Sequence, residues 1–197
     1  MMISNSVGII LRKVGNSRHK IALLDKKYGR IESVVNVTFL SVGSLVEYGV
    51  HQERGIFFLT DVKPLYVPVS FARFDLLFLH HVLELIYYFA PLYSCVDGLF
   101  DLIAFLYTSE HMLVSMKFKK FFLLKLLTLL GAAPDSEIVS LVCMGQLNEV
   151  TIDQFHDALL DGENEKRLDR WLWYCVWQHP YVNEFKTVNF LEQNRTI

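Results

Sequence analysis

The chain has 197 residues, of which 52% are hydrophobic and 20% charged, and its formal net charge is −2. A chain of this length buries roughly 70% of its unfolded surface without covalent staples, and its composition excludes a disordered or low-complexity protein. The charge is unevenly placed: residues 1–70 hold nine Lys/Arg against five Asp/Glu, and residues 71–197 hold ten against sixteen. The two parts therefore face partners with opposite electrostatic character.

Taken in chain order, residues 7–14, 19–24, 31–40, 44–50 and 56–62 are short β-rich runs separated by turn chemistry, with Gly55 marking a hairpin. Five strands in about sixty residues predict a small barrel of the OB-fold kind. Pro64 and Pro68 end it and serve as a linker. From Phe71 the period becomes helical, with Arg73, His80, His81, Glu84 and Tyr87 or Tyr88 as a polar stripe, and Pro91 stops this first helix. Asp97 caps a second helix ending near Thr108, and residues 117–130 form a third, closed by Gly131 and Pro134. Asp135 starts a fourth, and Thr151 with Gln154 has capping-box spacing for a fifth. A sixth spans residues 163–179 before Pro180, and a last helical turn or two falls within 183–192. The expected fold class is α+β, an N-terminal OB-fold β-barrel over residues 1–69 followed by an all-α helical domain over 70–197.

A membrane-spanning helix needs about 20 nearly uncharged apolar residues, and no window provides them. Residues 74–92 include Asp75, His80, His81 and Glu84, and residues 121–133 are few and include Lys125. The apolar stretch 7–11 is too short for a signal-peptide core and runs into Arg12 and Lys13. The expected location is the cytoplasm, with no membrane contact. Cys95, Cys143 and Cys175 are odd in number and far apart, which points to free thiols rather than a disulfide framework or a closed zinc site.

No nucleophile elbow, phosphate loop, zinc-protease helix or dinucleotide fingerprint occurs in the chain, so it is expected to be a binding protein without catalytic residues or cofactor. His80 and Glu84, at i,i+4, have the spacing of two metal ligands, but such pairs are common on ordinary helix surfaces and no metal is expected. The densest charge cluster is Arg12, Lys13, Arg18, Lys20, Lys26, Lys27 and Arg30, opposed only by Asp25. On a small barrel it forms either a groove that tracks a phosphate backbone or a solvated face. Tyr28, Tyr48, Phe57 and Phe58 are candidate base-stacking platforms, although one of two consecutive aromatics on a strand normally points into the core. In the helical part, Trp171 and Cys175 share a core face, and Trp173 and Trp177 share another that suits either packing or a partner. Lys117, Lys120 and Lys125 interrupt the acidity there and suit an acidic, hydrophobic peptide.

Tyr28-Gly29-Arg30-Ile31 in the barrel, Leu83-Glu84-Leu85 in the first long helix, and Phe122-Leu123-Leu124-Lys125-Leu126-Leu127 before Gly131 and Pro134 occur in an order that resembles the RecO family of DNA repair and recombination mediators. The resemblance covers nearly the whole chain. It implies binding of single- and double-stranded DNA, strand annealing, and recombinase loading together with RecR and single-stranded-DNA-binding protein, whose C-terminal tail would be the acidic peptide. The chain departs from the family pattern in three places: residues 32–48 contain no Lys or Arg, Leu123 replaces the usual Glu, and Cys143 stands alone where many members carry a Cys-x-x-Cys. The alternative expectation is therefore a protein-interaction adaptor on the same scaffold with little or no grip on DNA.

Overall fold

The computed structural model describes residues 4–14, 19–36, 40–132 and 162–187. It divides into two compact units, residues 1–110 and 111–197. The sequence pattern places its boundary at 69/70, where strand periodicity ends. Spatially, the helices that follow the strands belong with them.

The first unit holds five strands, β1 (Ser4–Lys13), β2 (Lys20–Asp25), β3 (Gly29–Val35), β4 (Leu45–Glu53) and β5 (Ile56–Tyr66), then helices α1 (Phe71–Phe74), α2 (Leu76–Phe89) and α3 (Leu99–Thr108). The fold is thus α+β. All strand pairings are antiparallel except β3 with β5, which is parallel over residues 33–35 and 57–59. They run β1-β2-β3-β5-β4 and return from β4 to β1. Alternation along the strands sends Ile10, Ile21, Leu23, Ile31, Val46 and Tyr48 to one shared interior core. β5 runs on through Pro64 to Tyr66 by pairing with the start of β4, with register shifts that absorb the irregularity.

The centre of the opposite face, on β1 and β2, is also buried, whereas Glu32 of β3 on that face is exposed. Ile9 pairs with Leu24, and Arg12 with Ala22. Ile9, Ala22 and Leu24 are sealed from solvent yet lie outside the interior core. α2 packs on β1. Its N-cap is Asp75, whose Oδ1 accepts from the Phe78 amide at 2.8 Å. The expected polar stripe on this helix is interrupted, because His81 is fully buried while His80 is exposed. α3 starts at Gly98 in the left-handed region rather than at a side-chain cap from Asp97. It is anchored by the Tyr107 hydroxyl, which donates to the Gly43 carbonyl at 2.7 Å.

A buried polar knot fixes the β2–β3 turn. Asp25, 1% exposed, accepts from Ser6 Oγ at 2.7 Å and from the Tyr48 hydroxyl through Oδ2, and from the amides of Lys27 and Tyr28 at 2.6 and 2.7 Å through Oδ1. Every acceptor position of the carboxylate is used, which is what makes its burial tolerable. Burial, reinforced by the neighbouring Asp25, pushes the Tyr48 phenol far above its ordinary value.

In the second unit, a 3-10 turn (Glu110–Val114, starting at the unit boundary) leads to α4 (Met116–Leu129), capped by Ser115, whose Oγ accepts from the Phe118 amide at 3.3 Å. Gly131 at φ 91° ends it, with the Ala132 amide returning to the Leu127 carbonyl at 2.9 Å. α5 (Gly162–Trp177) packs against α4, burying Leu168, Trp171, Leu172 and Val176. The fourth and fifth helices expected from the sequence, Cys143, and the stretch beyond residue 187 lie outside the described residues. No described helix is long and apolar enough to cross a membrane.

Candidate nucleic-acid interface

The seven basic residues picked from the sequence do not form one surface. Lys13 ends β1 and Lys20 starts β2, so these two exposed lysines flank the β1–β2 connection. Lys26 and Lys27 occupy the β2–β3 turn at the other end of β2, about 20 Å away at ~3.3 Å per strand residue. Arg18 lies outside the described residues.

Arg12 and Arg30 are engaged inside the unit. Arg12 Nη1 donates to the Tyr88 hydroxyl at 2.9 Å, and Arg30 Nη1 donates to the Tyr87 carbonyl. Both guanidinium carbons lie over the Tyr87 ring, at 5.0 and 5.4 Å from its centroid. They clamp α2 to the sheet, each through one of its five N–H donors and its contact with the Tyr87 ring. Lys26 forms an exposed pair with Asp101 at 3.7 Å, a geometry that stabilises little. Lys27 lies 4.9 Å from the Tyr28 ring. The Tyr28 phenol is held below its ordinary value by its hydrogen bond to Ser4 and by Lys27.

Most of the expected stacking platforms are already covered. Tyr48 and Phe57 are buried, Phe58 stacks on His51 at 5.3 Å, and Tyr28 packs on Phe57 at 5.5 Å. Of the consecutive pair, Phe57 is the inward member, as alternation requires.

An open aromatic surface near the sheet is Tyr93, which no motif or periodicity of the sequence singles out. Residues 92–95 run along the part of β3 that precedes its pairing with β5. Leu92 bridges Arg30, and the Tyr93 amide donates to the Arg30 carbonyl at 2.8 Å. This approach is so close that a Cβ on Gly29 (φ 71°) would sit 2.0 Å from the Ser94 carbonyl oxygen, which explains the glycine of the Tyr-Gly-Arg-Ile turn. Tyr93 itself has φ 60°, a left-handed conformation that is unusual for a bulky residue. Its ring stacks on Phe57 at 5.7 Å and 25°, and the residue remains 51% exposed. Beside it, Lys20, Glu32, Val34 and Ile56 line a cavity of about 160 Å³ that is also bordered by Val14, just past β1, and by Gly55 of the β4–β5 turn.

The three lysines expected to receive a peptide in the second unit also differ in kind. Lys117 is exposed. Lys120 is buried, with Nζ 2.7 Å from Glu165 Oε1 and 2.8 Å from Asp169 Oδ1, so it ties α4 to α5. Burial raises the Asp169 carboxyl although the bond to Lys120 opposes this. Lys125 is half-buried, and burial lowers its ammonium pKa. The rings of Trp173 and Trp177 lie 5.0 Å apart, tilted by 32°, and Trp177 is 39% exposed. Among the described residues no three His, Cys, Asp or Glu side chains are grouped to hold a metal ion.

No protein-family model matches the chain, and no curated protein matches it.

Proposed function

We infer that the first unit is an OB-fold that binds single-stranded DNA, and that the chain works as a RecO-like mediator of DNA repair and recombination, a cytoplasmic binding protein rather than an enzyme. The observation that carries this reading is the strand order β1-β2-β3-β5-β4, together with a cleft bordered by Val14, where the β1–β2 connection starts, and by Gly55 in the β4–β5 connection. Those two connections are the ones through which OB-folds hold oligonucleotides. Exposed Lys13, Lys20, Lys26 and Lys27 supply charge on the same unit, and the family's motif order in the sequence adds to it. RecR-like protein and the tail of single-stranded-DNA-binding protein are the partners this reading proposes.

Fluorescence anisotropy with a labelled single strand tests it. If about three to five phosphates are neutralised, log affinity falls against log salt with a slope of roughly −2 to −3.5. Lys13→Glu with Lys20→Glu should shallow that slope. No detectable binding at low salt overturns the reading. It would leave the adaptor alternative, which one observation favours: α2 packs on β1, and Arg12 and Arg30 are both engaged with tyrosines at the end of that helix.

A further inference from the structure

Tyr93 has three properties that together need an explanation. It is a bulky side chain in the left-handed region. It is backed by a buried aromatic, Phe57. And it leaves half of its own surface to solvent, at the edge of a cavity. Backbone outliers of this kind persist where surrounding structure holds them, and they concentrate at ligand sites. Here the holding contacts are the Tyr93 amide bond to Arg30 and the passage of residues 92–95 over Gly29. The ring is thus a supported platform, fixed before any ligand arrives.

The other side chains around the cavity complement it. Val34 and Ile56, the latter 48% exposed, form an apolar wall. Lys20 pairs with Val34, and Glu32 stands one register step further along the same face. No ion pair among the described residues engages Lys20 or Glu32. A cavity of about 160 Å³ is well below the several hundred Å³ of a pocket for a drug-sized molecule. It has room for one planar ring system.

We propose that this cleft takes a single nucleobase of the bound strand, stacked on Tyr93, with its exocyclic amino group donating to the Glu32 carboxylate and its phosphate on Lys20. The proposal rests on the reading of the first unit as a single-strand binder, and adds a preference in base composition to it. A carboxylate accepts from the amino group of cytosine. Uracil carries an oxo group, an acceptor that repels the carboxylate, at the same ring position, and its own donor, N3–H, lies one ring position away from where Glu32 meets the amino group. The surface therefore favours cytosine over uracil while stacking either ring.

The experiment compares the intact protein's affinity for labelled oligo-dC and oligo-dU of equal length at one low salt concentration. Oligo-dC is expected to bind about three- to tenfold more tightly, the ratio that one net hydrogen bond supplies. Glu32→Gln, whose amide also offers a donor, should bring the two affinities together. Tyr93→Ala should weaken both by about tenfold, as loss of one stacked base does, and leave the salt slope unchanged. Tyr93→Phe should retain wild-type affinity. Equal affinity of the wild type for oligo-dC and oligo-dU overturns the base site while leaving strand binding standing, and needs no variant to fold. A Tyr93→Ala protein of unchanged melting temperature and unchanged affinity overturns it as well. Absence of binding to both oligomers overturns this proposal and the single-strand reading together.

Discussion

Arg12 of β1 donates from Nη1 to the hydroxyl of Tyr88 on α2 at 2.9 Å, a tie between residues 76 positions apart. It makes the most prominent basic residue of the N-terminal cluster a structural one. Tyr88→Phe should cost about 1 kcal/mol in urea unfolding. Arg12→Ala should cost more, because the contact with the Tyr87 ring goes too. Neither change should alter the salt slope of DNA binding by as much as Lys20→Ala, for which the loss of one phosphate contact is worth about 0.7.

Tyr48→Phe removes one of the two donors to Asp25 Oδ2. The carboxylate stays buried with a vacant acceptor position, so the expected loss is about 1–3 kcal/mol. Equilibrium unfolding in urea measures it, with an unchanged slope against denaturant as the sign that the fold is intact.

Burial pushes the His81 imidazole down to about 3. The folded chain therefore keeps the ring neutral, while the unfolded chain protonates it near pH 6.5. Stability from this residue is full above pH 6.5 and is lost progressively as pH falls from there towards 3, since the unfolded state takes up a proton that the folded state refuses. The difference in urea midpoint between pH 7 and pH 5 should be larger for the wild-type chain than for His81→Leu.

Lys120→Ala should destabilise the second unit by about 3 kcal/mol, because it strands two carboxylates that close on a buried ammonium. Lys117→Ala, at an exposed position, should change stability by no more than about 0.5 kcal/mol. Tryptophan fluorescence from Trp171, Trp173 and Trp177 on α5 reports the transition directly.

Gly29→Ala should cost more than about 2 kcal/mol. The new methyl meets the Ser94 carbonyl, and the backbone is held at a φ that alanine disfavours. Residues 92–95 have to lift away, so the same variant should lose the base preference assigned to Tyr93.

The α+β order was legible because each signal is local: two-residue alternation through β1 to β5, a helical period from Phe71, and Gly131 at the end of α4. Charge density was legible, but its placement was not. Seven basic residues within nineteen positions look like one patch in a linear string, whereas the hairpin sends Lys13 and Lys20 to one end and Lys26 and Lys27 to the other. Arg12 and Arg30 turn to tyrosines more than fifty residues downstream. The same distance hid Tyr93, whose role depends on a pairing with β3 that no periodicity near Pro91 announces. Lys120 was read as a surface charge because its carboxylates lie 45 and 49 positions away.

The return of the strand pairing from β4 to β1 also bears on how the first unit forms. Residues 4–9 have no β4 partner, and Gly8 and Ile9 no second one, until 45–50 have been laid down, and the parallel match of 33–35 with 57–59 must be in register as well. Each step spends loop entropy before any contact repays it, so assembly of this sheet should take of the order of milliseconds to seconds, slower than a helical bundle of the same length. Once complete, no strand can leave without breaking two ladders, and amide exchange along β1 to β5 should report one common opening rather than a graded series.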